Sequence, residues 1–389
     1  MLRPTIASDD ALPSTGTPAS TTPLQRLEQI LSEAIRAGAS DIHFEPMAQR
    51  FRVRLRVDGR LQEHGDVPLT ARDMLVSRLK VLANLDIAQK RLPQDGRMVW
   101  REAGEPVECR VSALPTLHGE KLVVRLLDGA KVPLSLEGLG YSPKQYLALT
   151  QAIARPHGLI LLTGPTGSGK TVSLYSCLRR LNDASRNIVT IEDPVEIRLA
   201  GITQVNLNER AGLDFATALR AFLRQDPDVL VVGEIRDAQT AEIAIQAAQT
   251  GHLVFATVHA NDAPSTLARL FDLGVAPFNL SSTLLLVSAQ RLLRRRCPAG
   301  CEPSRTTTET GLADTCMRCH GTGFAGRIGA FQVMPISATQ AINIAQARSP
   351  HELAAQACSE GVMTLREAGL WHVDAGAVAQ EDVDATLPA

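Results

Sequence analysis

The period of the hydrophobic positions changes along this chain. Leu24, Leu27, Ile30, Leu31, Ala34 and Ile35 fall at helical spacing, and Gly38 supplies a stop, which predicts a first helix just before that glycine. In FRVRLRVDGRLQ the period drops to two: Phe51, Val53, Leu55 and Val57 alternate with Arg52, Arg54 and Arg56. That pattern places the apolar set on one face of a strand and an arginine row on the other. Asp58-Gly59 signals a hairpin turn. The arginine row reads as a solvated face or as a surface that meets another subunit or a phosphate. Residues 69–90 read as a helix, with short strands near 97–100, 107–113 and 121–127. A small α+β (PAS-like) domain is expected over 24–130, followed by a linker at 131–142 that contains Pro133, Gly138 and Gly140.

From residue 143 the pattern changes again. Apolar runs of strand length, LILLT (159–163), NIVTI (187–191), DVLVVG (228–233) and HLVFATV (252–258), alternate with helical segments. Unbroken apolar strands separated by helices imply a parallel sheet covered on both faces. The expected fold class is α/β: a RecA-like P-loop core over 143–290, then a cysteine-rich segment at 291–335 and a helical tail at 336–389. Residues 1–23, rich in Pro, Ser, Thr and Ala, are expected to be disordered.

Composition narrows this picture. With 389 residues the chain exceeds one ordinary core. Its formal net charge of −1 and 4% aromatic content give no global field or stacking surface for nucleic acid. Residues 1–23 contain no apolar signal region, and the stretch 273–290 is broken by Pro277, Asn279 and serines, too polar to span a membrane. A cytosolic protein is expected, with cysteines reduced or metal-bound.

The sharpest chemical signal is GPTGSGKT: Gly164, Pro165, Thr166, Gly167, Ser168, Gly169, Lys170 and Thr171. Between an apolar strand and a helix, such a loop turns its N–H groups onto phosphates, with Lys170 reaching the β and γ phosphates and the Thr171 hydroxyl holding Mg²⁺. In DVLVVGEIRD, Glu234 ends an apolar strand where α/β sheets bind ligands. Gly233 stands where such strands often carry an aspartate, so Glu234 either acts alone as general base or the metal is held through water. TIEDPVE places Glu192 and Asp193 after another core strand, and TGHLVFATVHAND places His252 and His259 at the two ends of a third.

These four stretches together resemble the Walker A, Asp, Walker B and His boxes of the secretion ATPase superfamily, within its GspE/PilB branch. GASDIHFEP, KVLANLDIAQKRLPQDGR and GTGFAGRIGAFQV extend the likeness from about residue 24 to 380. The resemblance implies a hexameric, ATP-hydrolysing motor, with the type II secretion pseudopilus as its product and type IV pilus extension as the alternative. It implies Glu234 as catalytic glutamate, Glu192 and Asp193 near metal and water, and His252 and His259 coupling nucleotide state to domain position. It also implies Arg97 and Arg110 closing over phosphates, and Arg220 and Arg224 at the subunit interface. Partners would be further copies and platform proteins at the cytoplasmic face of the inner membrane, with no nucleic acid. Members of the branch carry a further N-terminal docking domain, which residues 1–23 are too few to form.

Cys297, Cys301, Cys316 and Cys319 stand in two close pairs, C-x3-C and C-x2-C, a spacing suited to structural Zn²⁺. His320, next to Cys319, would stand in as a ligand if Cys297 or Cys301 could not reach. Cys109, Cys177 and Cys358 read as isolated apolar residues. RLLRRR (291–296) reads as a solvated or interface face, or as a patch for acidic headgroups.

Overall fold

In the computed structural model the described residues are 22–127, 134–301, 316, 318–319 and 321–388. The chain divides into two units, Met1–Asp128 and Gly129–Ala389.

In the first unit helix α1 (Pro23–Arg36) opens on a reciprocal cap: the Thr22 hydroxyl accepts from the Gln25 N–H, and the Gln25 side chain accepts from the Thr22 N–H. Thr22 and Pro23, expected to be disordered, are therefore ordered as the cap and first turn. Leu27, Ile30, Leu31, Ala34 and Ile35 are buried, whereas Leu24, in that first turn, is exposed. Residues 1–21 lie outside the described residues. Helix α2 runs only Leu69–Leu82 rather than to 90, because Asn84 takes a left-handed φ of 58°. The chain then crosses as a loop braced by the buried Lys80 ammonium, which donates to the Gln89 carbonyl at 2.7 Å and to Glu120 at 2.8 Å.

Both helices cover one face of a wholly antiparallel sheet of β1 (Asp41–Pro46), β2 (Phe51–Val57), β3 (Arg60–Val67), β4 (Gln94–Glu102), β5 (Glu105–Thr116) and β6 (Gly119–Leu127), in the order β3-β2-β1-β6-β5-β4. Asp58 and Gly59 both have positive φ, 47° and 85°, as the tight β2–β3 turn demands. The arginine row is half-buried and paired. Arg52 and Arg54 reach Glu45 at 2.9 and 2.8 Å, with Lys121 at 3.0 Å, while Arg125 and Arg56 reach Asp41 at 2.9 and 3.7 Å. The central strand β1 carries the carboxylates that its neighbours' cations require, since facing residues lie within cross-strand reach. Burial works against ionisation of Glu45, yet hydrogen bonds from Arg54, Lys121 and Arg52 hold its pKa down to about 2.

The second unit is built on a sheet ordered β13-β12-β7-β11-β10-β8-β9, parallel except for its β12–β13 pair. Its strands are β7 (Gly158–Thr163), β8 (Ile188–Glu192), β9 (Thr203–Asn206), β10 (Val229–Val232), β11 (Leu253–Val258), β12 (Leu284–Arg296) and β13 (Phe324–Pro335). On β7, Leu159 and Leu161 face a core with helices α5 (Phe215–Phe222), α6 (Ala238–Gln249) and α7 (Ala263–Asp272), while Ile160 and Leu162 face α3 (Pro143–Ile153) and α4 (Lys170–Leu181). Each of these side chains is fully buried, worth about 1.5–3 kcal/mol apiece. The expected boundary at residue 290 falls inside β12, and β13 pairs with it. The cysteine-rich stretch is thus an excursion between two strands of the core sheet. RLLRRR belongs to β12, with the Arg294 guanidinium on Asp382 of the C-terminal helix (Gln380–Thr386) at 2.6 Å.

Candidate nucleotide site and metal cluster

Residues 164–169 leave β7 and enter α4 at Lys170. Gly164 has φ 148°, and a Cβ there would lie 2.6 Å from both the Gln290 carbonyl oxygen and Ser168 Oγ. The loop is clamped to β12, because the buried Gln290 amide also donates to the Ser168 carbonyl at 2.7 Å. The N–H groups of Gly167, Gly169 and Lys170 have no acceptor among the described residues. Together with the N-terminus of α4 they form a cradle fitted to phosphate oxygens. The Lys170 ammonium folds back onto the carbonyls of Gly164 and Pro165 at 2.7 and 3.1 Å. Burial lowers its pKa to about 8, with Glu234 opposing the shift and Arg291 adding to it. The Thr171 side chain follows at the second helical position, where its hydroxyl would hold Mg²⁺.

The C-terminal ends of β8, β10 and β11 lie side by side in the parallel sheet. Glu234 accepts from Arg236 Nε at 2.8 Å and Nη2 at 2.7 Å, and its other oxygen lies 3.3 Å from His259 Nε2. Arg236 also reaches Asp193 at 3.5 Å. Glu234, Asp193 and His259 therefore form one cluster around Arg236. Glycine is required at position 233 by sheet geometry: a Cβ would sit 2.9 Å from the Ile191 carbonyl oxygen and 3.1 Å from Glu192 Cα. The aspartate common at that place has no room here.

Other expected residues lie elsewhere. Glu192 turns inward and is buried, accepting from Tyr175, from Thr190 Oγ1 at 2.6 Å and from Gln204 at 3.3 Å. Burial raises its carboxyl pKa despite these donors. His252 does not join His259 within one chain. It precedes β11, roughly 20 Å away at the strand's rise per residue, and its Nδ1 lies 2.9 Å from the Ala247 carbonyl in the last turn of α6. That contact caps the C-terminal end of the helix, and the two histidines stand at opposite ends of β11 as the sequence places them. Arg220 and Arg224 are exposed near the end of α5, tied by Arg224 Nη1 to the Arg220 carbonyl at 2.8 Å. In the first unit Arg97 and Arg110 are exposed register partners on β4 and β5, without a carboxylate among the described residues. Arg236, Tyr175 and Gln290 were not singled out from the sequence, and Arg291 was read only as part of RLLRRR. Only Gln290, a polar residue in an apolar strand, left a readable signal.

The sulfurs of Cys297, Cys301, Cys316 and Cys319 all lie within 4.8 Å of one another, with Cys297 and Cys316 at 3.7 Å. A tetrahedral ion with metal–sulfur bonds of 2.3 Å separates its ligands by about 3.8 Å, so this donor set fits zinc. Backbone N–H groups of Arg318 and Cys319 and the thiol of Cys301 hold Cys316 down to about 6, while the facing Cys316 pushes Cys301 up to about 12. His320 lies outside the described residues.

A phosphate-binding loop on a largely parallel sheet, with an acidic cluster at the neighbouring strand ends, defines a RecA-like P-loop protein. Residues 19–385 match the family described as type II/IV secretion system protein, and the chain belongs to that family. It is 46% identical over 377 residues to the type IV pilus assembly ATPase PilB of Acinetobacter baylyi, covering 92% of this chain and 65% of that protein. It is 46% identical over 361 residues to the type II secretion system protein HxcR of Pseudomonas aeruginosa, covering 92% and 76%. The chain spans just under two thirds of the length of two PilB relatives, 65% and 66%, and 42% of the PilB of Thermus thermophilus. The crystal structure of the pilus retraction motor PilT with bound ADP is similar at a TM-score of 0.63 and 27% identity, covering 92% of this chain and 95% of that one. The Legionella pneumophila ATPase DotB shares the fold at a TM-score of 0.70 and 21% identity, over 95% and 97%.

Proposed function

We propose that this chain is the ATP-hydrolysing subunit of a homo-hexameric motor at the cytoplasmic face of the inner membrane, and that it drives pseudopilus assembly in type II secretion. The observation that carries the hydrolytic reading is the placement of the phosphate loop, at the C-terminal end of β7, and Glu234, just past the end of β10, on the same edge of the parallel sheet with only β11 between them. ATP phosphates would occupy the free N–H groups of Gly167, Gly169 and Lys170, drawing the lysine off its two carbonyls. Bound Mg²⁺, held through Thr171, would neutralise charge on the β and γ oxygens. Glu234 would accept the proton of the attacking water once it has exchanged a contact with Arg236 or His259 for that water. Arg220 and Arg224 from a neighbouring copy would add positive charge to the transition state, tying turnover to the approach of one subunit to the next. The four-cysteine cluster would hold Zn²⁺ as a structural tie between β12 and β13.

A second reading, type IV pilus extension, draws equal support from the Acinetobacter baylyi PilB, whose 46% identity equals that of HxcR. One experiment separates the two. The gene is replaced by its Glu234→Gln form, and secreted hydrolase activity and surface pili are both scored. Loss of secretion with pili intact supports the pseudopilus reading; loss of pili with secretion intact supports the pilus reading. Purified Glu234→Gln protein should bind ATP and hydrolyse it at least a hundredfold more slowly. Unchanged turnover would sink the general-base assignment.

A further inference from the structure

Tyr175 lies on α4, five residues after Lys170, and is fully buried. A leucine or phenylalanine would fill that core position equally well. The hydroxyl is what distinguishes tyrosine, and burying it is costly unless it is bonded. Here it is bonded twice. It donates to Glu192 Oε2 and accepts from the Glu196 N–H at 3.4 Å. One oxygen atom thus grips both ends of the segment 192–196, which contains Asp193. The gripped carboxylate is also fixed from its own strand by Thr190 Oγ1 at 2.6 Å and from β9 by Gln204 at 3.3 Å. Its backbone packs directly beneath Gly233, with no room for a Cβ between them. Gly233 leads into Glu234, and Asp193 meets Glu234 through the Arg236 guanidinium.

From this chain of contacts we infer that Tyr175 is a positioning residue for ATP hydrolysis: its hydroxyl registers the Asp193–Arg236–Glu234 side of the site against the helix that carries Lys170 and Thr171. Glu192 then serves as the buried anchor for that hydroxyl, and Asp193 is the member of the pair that faces the cluster. A displacement near 1 Å between catalytic groups costs about a hundredfold in rate. Phosphate binding depends on the loop's own N–H groups and Lys170, which Tyr175 does not touch. The signature of its loss is therefore in kcat and not in KM.

The inference rests on the hydrolytic reading of Glu234, so the test includes that control. Steady-state ATPase is measured on the full chain as wild type, Tyr175→Phe, Glu192→Gln, the double variant and Glu234→Gln. Tyr175→Phe is expected to lower kcat at least tenfold with KM for ATP within about twofold. The double variant is expected to be no slower than the slower single one, because both act through the same bond. A Tyr175→Phe enzyme with kcat within twofold of wild type overturns the inference even if it melts at a lower temperature. So does equal loss in kcat and ATP affinity, or full additivity in the cycle. If Glu234→Gln itself turns over normally, it is the site assignment that has failed. Should Tyr175→Phe not fold, Thr190→Val removes the facing donor to Glu192 and is expected to give the same kcat-selective loss. Normal turnover there counts against the proposal.

Discussion

Gly233→Ala adds one methyl group to the Walker B turn. The structure places that carbon 2.9 Å from the Ile191 carbonyl oxygen, 3.1 Å from Glu192 Cα and 3.6 Å from Glu192 Cβ. The first two neighbours are backbone and cannot rotate away. Gly233 N–H already donates to that same carbonyl at 2.8 Å, so relief requires β8 and β10 to part by several tenths of an ångström. Overpacking of this kind costs about 1–3 kcal/mol. For a unit of this size that corresponds to a fall in Tm of roughly 2–12 °C. Parting the strands also moves Glu234 away from the phosphate loop, and the expected loss in kcat is about tenfold or more. Gly138→Ala is the control, since a Cβ there meets nothing within 4 Å. It is expected to change stability by less than about 0.5 kcal/mol. Thermal melting and ATPase are measured on both variants. A Gly233→Ala protein that melts and turns over like Gly138→Ala refutes the steric account. A Gly233→Asp protein that hydrolyses ATP faster than wild type refutes it more directly, because it shows that the missing aspartate had room.

Other expectations follow from the same geometry. Lys170, lowered by burial to about 8, should regain its proton when phosphates bind, so nucleotide binding takes up a proton only above that pH. Calorimetry in buffers of different ionisation enthalpy is expected to show little uptake near pH 7, about half a proton near pH 8 and an affinity that falls with rising pH beyond it; pH-independent uptake contradicts this. Glu45, held at about 2 against 4.5 in the unfolded chain, contributes stability that is present above pH 4.5 and lost as pH falls towards 2. Glu45→Gln should therefore cost several kcal/mol near pH 7, with the gap to wild type closing through that acid window in urea melts. Cys316→Ser should lower the zinc content of the pure protein and its melting temperature, and a wild type free of metal removes the zinc claim.

The sequence alone determined the strand, glycine loop and helix at the start of the core, while the extension of its sheet through β12 and β13 was decided by tertiary pairing. The first signal is local: a strand of Leu and Ile, a glycine loop and a helix occupy one contiguous stretch, and each residue's role follows from its neighbours in the chain. The period-two pattern of Phe51, Val53 and Leu55 likewise determined β2, all three being buried. What the alternating arginines do was decided only by strand order. β1 lies between β2 and β6, and its Asp41 and Glu45 meet cations that come from both sides. The same holds in the second unit. The sequence places His252 and His259 at opposite ends of one strand, but only the alignment of β10 beside β11 shows that His259 is the one that reaches Glu234. Gly233 looks like a lost ligand until the backbone of Ile191 and Glu192 is placed against it. Arg236 and Tyr175 carry no pattern of their own, because their partners Asp193 and Glu192 are distant in sequence and arrive only when parallel strands align. Periodicity records which face of an element is buried. Which partner waits on that face depends on sheet order and register, and those are set by tertiary packing.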